Sequence, residues 1–207
     1  KDLNSDRRDL HFYSVHPKQD TLNFLSPYAT YDLKQYIIGA HQVPYIDVAD
    51  SRIVPNKDSI ITIRQEAYMD TLRTAKLLAD REHKYHSVYD ATFFVKGRNN
   101  FSGHGMYDYI DENKVKHPLP LTKIKVDTAL HTYGIGTLEE SENFKLSSVY
   151  SYYGNYKMMS THEYLNFDGN VLIDNQCAKI KPTWFKFAGD INPLEILAYQ
   201  YDFVCNG

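Results

Sequence analysis

Short segments in which apolar and polar residues alternate recur along almost the whole chain, for example at residues 36–40, 88–95 and 101–110. Successive side chains of a β-strand point to opposite faces of a sheet, so this alternation is typical of strands with one buried face. The segments are rich in Tyr, Phe, Val, Ile and Thr, which fit a pleated, half-buried surface. The sequence therefore predicts an all-β chain.

Two short segments leave a helix open as an alternative to a strand. Leu72, Ala75 and Ala79 have helical spacing within residues 70–82. Asn192 followed by Pro193 is typical of a helix N-terminus. We therefore expect at most one or two short helices.

An aromatic residue followed two positions later by Gly recurs in the strand-like segments. The pairs are Phe101 with Gly103, Phe167 with Gly169, and Phe187 with Gly189. Gly in a strand marks a bend or a close approach of the backbone, so we expect the aromatic ring to pack inward there. Repeated units of this kind predict a stacked-strand β-solenoid or β-slab, with a β-sandwich as the alternative. The dipeptide Asp168-Gly169 between two apolar runs also predicts a hairpin turn.

The length of 207 residues and the composition of the first residues predict the domain organisation. Residues 1–9 are charged and lack periodicity, which predicts a flexible lead-in. Residues 10–207 are predicted to form one all-β domain, since an all-β chain of this length is often a single domain. The first residue is Lys1, so we expect a fragment of a larger protein.

Cys177 and Cys205 are the only cysteines. The sequence is compatible with a disulfide between them and with two separate thiols.

Charge and motifs argue against several classes of function. The net charge of −3 lacks the basic excess of a nucleic-acid binder. No apolar run has the length of a transmembrane segment. The sequence contains no nucleophile motif and no convincing set of metal ligands, and its nine histidines are interpreted as ordinary, partly exposed side chains. The carboxylates of Asp108, Asp111 and Glu112 are interpreted as solvated turn charges. We expect no cofactor, no metal and no enzymatic activity.

Tyrosine is unusually frequent, with 18 residues. Tyr107 and Tyr109 fall on one face of a predicted strand, and Tyr150 and Tyr152 on one face of another. A row of exposed tyrosines can stack on sugar rings, because each ring has an apolar body and a hydroxyl. These four residues are therefore the candidate ligand-binding residues. The competing interpretation is a set of cross-strand aromatic ladders in a half-buried sheet.

One set of motifs resembles a known group of proteins. The motifs are Val48-Ala49-Asp50-Ser51-Arg52-Ile53-Val54-Pro55, then His86-Ser87-Val88-Tyr89-Asp90-Ala91, then Phe101-Ser102-Gly103-His104-Gly105-Met106-Tyr107-Asp108-Tyr109-Ile110-Asp111-Glu112. Together they resemble a segment of large, uncharacterised envelope-associated proteins of Bacteroidetes. The aromatic and glycine pattern is more loosely similar to the OstA-like β-slab of lipopolysaccharide transport, whose open groove holds acyl chains. Neither resemblance brings catalytic residues with it.

These observations lead to one functional expectation and two alternatives. We expect a non-enzymatic structural or interaction domain of an exported bacterial envelope or surface protein. Its partners would be the rest of the parent chain or other envelope proteins, and its location the periplasm, outer membrane or cell surface. The alternatives are a carbohydrate-binding module that uses the Tyr rows and a β-slab that carries lipid or lipopolysaccharide.

Overall fold

The structure is a computed structural model that describes residues 9–64, 68–174 and 181–196. The prediction of an all-β fold is confirmed, since the helical residues in these ranges are limited to the 3₁₀ turns Pro17–Gln19 and Glu140–Glu142 and to Ile196. Cys177, Cys205 and residues 1–8 of the predicted lead-in lie outside the described residues.

In the described part of the chain, fifteen strands form two antiparallel sheets. The large sheet contains β1 (Leu10–Tyr13), β2 (Asn23–Ser26), β5 (Ile46–Val48), β6 (Ser51–Val54), β8 (Leu72–Ala79), β9 (His86–Gly97), β10 (Asn100–Ile110), β11 (Lys116–Val126), β12 (Thr132–Leu138), β13 (Tyr150–Met159), β14 (Leu165–Ile173) and β15 (Trp184–Ile191), paired in that order. The small sheet contains β3 (Tyr28–Asp32), β4 (Ile37–His41) and β7 (Ile60–Ile63). From β8 onward every strand pairs with its neighbour in sequence, so this part of the large sheet is an antiparallel meander.

The large sheet curls back on itself. β10 and β14 are four strands apart in the pairing order, which would separate them by about 19 Å in a flat sheet. The ring centroids of Tyr109 on β10 and Phe167 on β14 nevertheless lie 5.8 Å apart. The inner faces of the two halves therefore pack on each other and enclose the core. The sheet does not close into a barrel, because β1 and β15 end the pairing order without meeting.

Glycines on the inner face make room for the rings of neighbouring strands. A Cβ on Gly136 would lie 2.2 Å from the Tyr156 hydroxyl and 2.5 Å from the Pro120 carbonyl oxygen. Tyr156 therefore lies across Gly136 and donates a hydrogen bond of 2.6 Å to that carbonyl. A Cβ on Gly103 would likewise meet the ring of Phe93 at 2.4 Å. Gly103 and Gly136 thus mark sites of close packing between strands, whereas a Cβ on Gly189 would have its nearest neighbour at 3.6 Å.

The helix alternative for residues 70–82 is wrong, because the segment forms β8. Leu72 pairs with Phe93 and Ala75 pairs with Ala91, so three steps on β8 match two on β9. Such a bulge adds one residue to a strand and shifts its phase, with Thr74 at φ 48°. Leu72 and Ala75 therefore both face the core at a spacing that imitates a helix. After Asn192, residues 193–195 form a turn and Ile196 is in 3₁₀ conformation, and the remainder of the helix predicted there lies outside the described residues.

The predicted hairpin at Asp168-Gly169 is also wrong, because both residues lie within β14. Gly169 pairs with Gly154 of β13, and a Cβ at Gly169 would approach the Tyr153 carbonyl oxygen to 2.3 Å. The glycine therefore permits a close approach of two strands and does not form a turn.

Candidate functional site

The four predicted ligand-binding tyrosines lie on the inner face of the sheet. Tyr109 and Tyr152 are buried, at 3% and 1% exposure. Tyr107 and Tyr150 are half-buried and pack against the same core. The sequence prediction that each pair shares one face agrees with this arrangement. The condition for sugar stacking, an exposed ring face, is not met at Tyr109 and Tyr152, so these two rings belong to the core.

The hydroxyls of the buried tyrosines bond to backbone carbonyls within the core. Tyr109 donates to the Leu146 carbonyl at 2.8 Å, and Tyr152 donates to the Asn155 carbonyl at 2.5 Å. Burial raises the pKa of Tyr109 and Tyr152 far above the ordinary value. The rings of Tyr109 and Tyr152 each pack edge to face on both Phe144 and Phe167. The tyrosine excess therefore contributes both apolar area and satisfied polar groups to one core.

Asp50, in the turn between β5 and β6, joins the two halves of the curled sheet. Its carboxylate accepts hydrogen bonds from the Thr132 hydroxyl at 2.6 Å and from the Thr132 backbone N–H at 3.1 Å. It also accepts a hydrogen bond from the Ser160 hydroxyl. The Ser51 hydroxyl donates to Thr132 Oγ1 at 2.7 Å. Because Ser51, Thr132 and Ser160 are fully buried, this cluster is a structural clamp, which the sequence did not predict.

His86 is fully buried beside this clamp region, contrary to the interpretation of partly exposed histidines. Its Nε2 donates to the His162 carbonyl at 2.7 Å, and the Tyr107 hydroxyl, 3.1 Å away, bonds to Nδ1. Burial lowers the pKa of His86. The two bonds suit the neutral ring, which has one donor and one acceptor nitrogen.

The turn between β10 and β11 buries two carboxylates. Asp111 and Glu112 are each only 9% exposed, so their interpretation as solvated turn charges is wrong. Burial raises the pKa of Asp111, but hydrogen bonds from His117 and two backbone N–H groups outweigh it and hold that pKa below its ordinary value. Glu112 Oε1 accepts a hydrogen bond from the Ser148 N–H at 2.6 Å. Its Oε2 has no partner in the described part of the chain. The Asp111 carboxylate accepts hydrogen bonds from the backbone N–H groups of Asn113 and Val115, and these bonds stabilise the turn.

The outward-facing residues of β12, β13 and β14 form a polar surface, here called the outer platform. It consists of Thr137, Asn155, Lys157, Asn166 and Asp168, which the sequence analysis did not single out as a site. Strand pairing sets Thr137, Asn155 and Asp168 side by side, and Lys157 beside Asn166. These residues line a shallow hollow of about 270 Å³.

Aromatic rings lie on the same face at both ends of the outer platform. Tyr133 lies at one end, with the Lys157 ammonium 5.4 Å from its ring centroid. A second hollow of about 650 Å³ lies beside Tyr133 and shares Ile135 and Lys157 with the first. Tyr153 lies at the other end and packs edge to face on Trp184 at 4.7 Å. The sequence contains a signal for this surface. Along β13, Tyr153, Asn155 and Lys157 alternate with the inward-facing positions that hold the buried tyrosines.

An apolar hollow of about 250 Å³ lies where the small sheet meets β1 and β2. Its lining includes Phe12, Leu22, Phe24, Ile38 and Met69. The interior between the two halves of the large sheet is instead filled by side chains. An apolar cavity therefore lies at one end of the fold, and the lipid-carrying alternative stays a prediction.

The last strand, β15, forms one edge of the large sheet. It pairs with β14 over eight residues without a register shift, and no other described strand pairs with its far side. Phe185 lies in register with Val171 and Tyr152 on the inner face, yet it is 56% exposed. The free backbone groups of such an edge can pair with a further strand.

The described ranges contain no group of three or more His, Cys, Asp or Glu side chains that could hold a metal, and no helix long and apolar enough to cross a membrane. No protein-family model, curated protein or solved structure matches the chain.

Proposed function

We propose that the chain is a non-enzymatic interaction domain of an exported bacterial envelope protein, and that it binds an extended strand of a partner at the edge of β15. The observation that carries the proposal is the length and regularity of this edge. Natural sheets protect their edges with short strands, proline, bulges or inward-pointing charges. β15 has eight residues in continuous register, no proline, and Phe185 where a protective charge would stand.

The partner in this proposal is the rest of a larger parent chain or another envelope protein. Strand addition suits such a partner because the backbone hydrogen bonds supply affinity and alternate side chains supply specificity. A partner strand beside β15 would also cover Phe185 and extend the inner face. The envelope location is supported by the resemblance of the Phe101–Glu112 run to envelope-associated proteins of Bacteroidetes.

Photo-crosslinking in the cells that produce the protein tests both parts of the proposal. A photoreactive phenylalanine analogue replaces Phe185 in one variant and Phe94 in the control. Phe94 is 44% exposed but lies on β9, which has strands on both sides. We expect an adduct with one envelope protein, or with the parent chain, from position 185 and none from position 94. Equal adducts from both positions, no adduct at all, or recovery of the protein from the cytoplasmic fraction would overturn the proposal.

A further inference from the structure

The outer platform carries hydrogen-bonding groups that are held in place and still have free capacity. The Thr137 hydroxyl donates to Asn155 Oδ1 at 2.8 Å, so the Asn155 amide is fixed and its Nδ2 hydrogens remain for a ligand. Asn166 Nδ2 donates to Asp190 at 2.8 Å, which leaves Asn166 Oδ1 as an acceptor. Fixed side chains lose little conformational entropy on binding.

Two further groups of the platform, the Asp168 carboxylate and the Lys157 ammonium, make no ion pair within 4.0 Å among the described residues. Lys157 lies over the Tyr133 ring and interacts electrostatically with Asp127. The platform therefore offers donors from Asn155 and Lys157 and acceptors from Asn166 and Asp168. Neighbouring groups on paired strands lie roughly 5 Å apart.

This alternation of donors and acceptors points to a polyol. A hydroxyl both donates and accepts, so a pair of adjacent hydroxyls satisfies one donor and one carboxylate at the same time. The aromatic rings add the apolar contact that a sugar ring makes through its C–H face. Tyr133 and Tyr153 stand six residues apart along β13, since Tyr133 pairs with Met159. That separation is roughly 20 Å, which is the length of several linked sugar rings.

The charges on this face favour a neutral ligand. Lys123 and Lys125 lie across from Ile135 and Tyr133, and Lys157 lies on the other side. Lys186, across from Asn170, is a fourth cation on this face. Asp127, Asp168, Asp190 and Glu140, which accepts a hydrogen bond from Trp184, supply an equal number of carboxylates on or beside it. A polyanion would meet these carboxylates, whereas hydroxyl groups can bond to either sign.

We infer that the outer platform binds a linear neutral polysaccharide, through Asn155, Asp168, Asn166 and Lys157, with Tyr133 and Tyr153 as stacking surfaces. This inference goes beyond the proposed strand pairing, because it uses a face of the sheet and not its edge. It also assigns saccharide binding to residues on the outer face of the sheet, which solvent can reach, and not to the four predicted tyrosines on the inner face.

Affinity electrophoresis in native gels tests this inference. The gels contain laminarin, xyloglucan, galactomannan or dextran as neutral polysaccharides, and polygalacturonate as a charged comparison. We expect retardation by at least one neutral polysaccharide, with little change when salt is added. Asn155→Ala, Asp168→Asn and Tyr133→Ala should each weaken it about tenfold or more, because a partner group is left unpaired or a stacking face is lost.

Matched controls separate the platform from general surface effects. Asn100→Ala and Tyr31→Ala remove exposed residues of the same types elsewhere and should leave retardation unchanged. Far-UV circular dichroism confirms that each variant is folded. The inference is overturned by the absence of retardation in all four neutral gels, by equal effects of platform and control variants, or by retardation in polygalacturonate alone.

Discussion

Replacing Asp50 by alanine tests whether the clamp holds the curled sheet together. The carboxylate accepts hydrogen bonds from the Thr132 hydroxyl, the Thr132 N–H and the Ser160 hydroxyl. Thr132 begins β12 and Ser160 directly follows β13, whereas Asp50 precedes β6. In Asp50→Ala all three donors lose their acceptor while Thr132 and Ser160 stay buried. The variant therefore leaves unsatisfied groups at the junction of the two halves.

The expected loss follows from the number and type of these bonds. A hydrogen bond to a charged group contributes about 1.5–3 kcal/mol, so three would sum to about 4.5–9 kcal/mol if they were additive. They share one acceptor, and removal of the carboxylate also removes its own desolvation cost, so the sum is an upper bound. We expect Asp50→Ala to lower the free energy of unfolding by about 3–5 kcal/mol. That is a large part of the roughly 5–15 kcal/mol available to a domain.

Urea unfolding followed by circular dichroism and intrinsic fluorescence measures this loss as a shift in the transition midpoint. Asp47→Ala is the matched control. Asp47 binds Arg52 and Arg81 through partly exposed side chains, and its removal should cost at most about 1 kcal/mol. A loss in Asp50→Ala no greater than that in Asp47→Ala would refute the clamp.

Two further predictions concern the core. Because burial lowers the pKa of His86, the unfolded chain binds more protons there than the folded chain. The contribution of neutral His86 to the free energy of unfolding should be fully present above about pH 6.5 and should decrease as the pH drops below that value. The total decrease is about 1.4 kcal/mol for each unit by which burial lowers the pKa of His86. His86→Gln should flatten this fall in urea titrations between pH 7 and 5, and an unchanged profile would contradict the assignment. Gly136→Ala should cost about 1–3 kcal/mol, since its Cβ would overlap the Tyr156 ring and the Pro120 carbonyl. Gly189→Ala, whose Cβ would have its nearest neighbour at 3.6 Å, should be tolerated. Thermal melts of both variants measure the two losses, and equal losses would argue against the packing account.

Parts of the candidate sites were predictable from local pattern. Alternation correctly placed Tyr150 and Tyr152 on one face, because the side-chain period of a strand is two. It could not say which face is buried. The alternation predicts that these two rings bind a ligand, whereas the curled sheet encloses Tyr152 and presents Asn155 and Lys157 outward.

Other features depend on residues that are far apart in sequence. Asp50 meets Ser160 across 110 positions, and no local pattern indicates that contact. His86 is buried because the segment around His162 covers it. The bulge in β8 changes the spacing of its core residues, so hydrophobic periodicity alone predicts a helix where the structure has a strand.

The sequence by itself determined that this protein is a β-protein, because period-two alternation and Tyr-rich, β-branched segments leave few other ways to bury the apolar side chains. Only the tertiary structure decided which tyrosines are core, which glycines pack beneath rings, and which polar residues gather at the clamp and the outer platform. The physical reason is that strand pairing and curling set the distance between remote residues. Alternation along one strand determines only which side chains share a face.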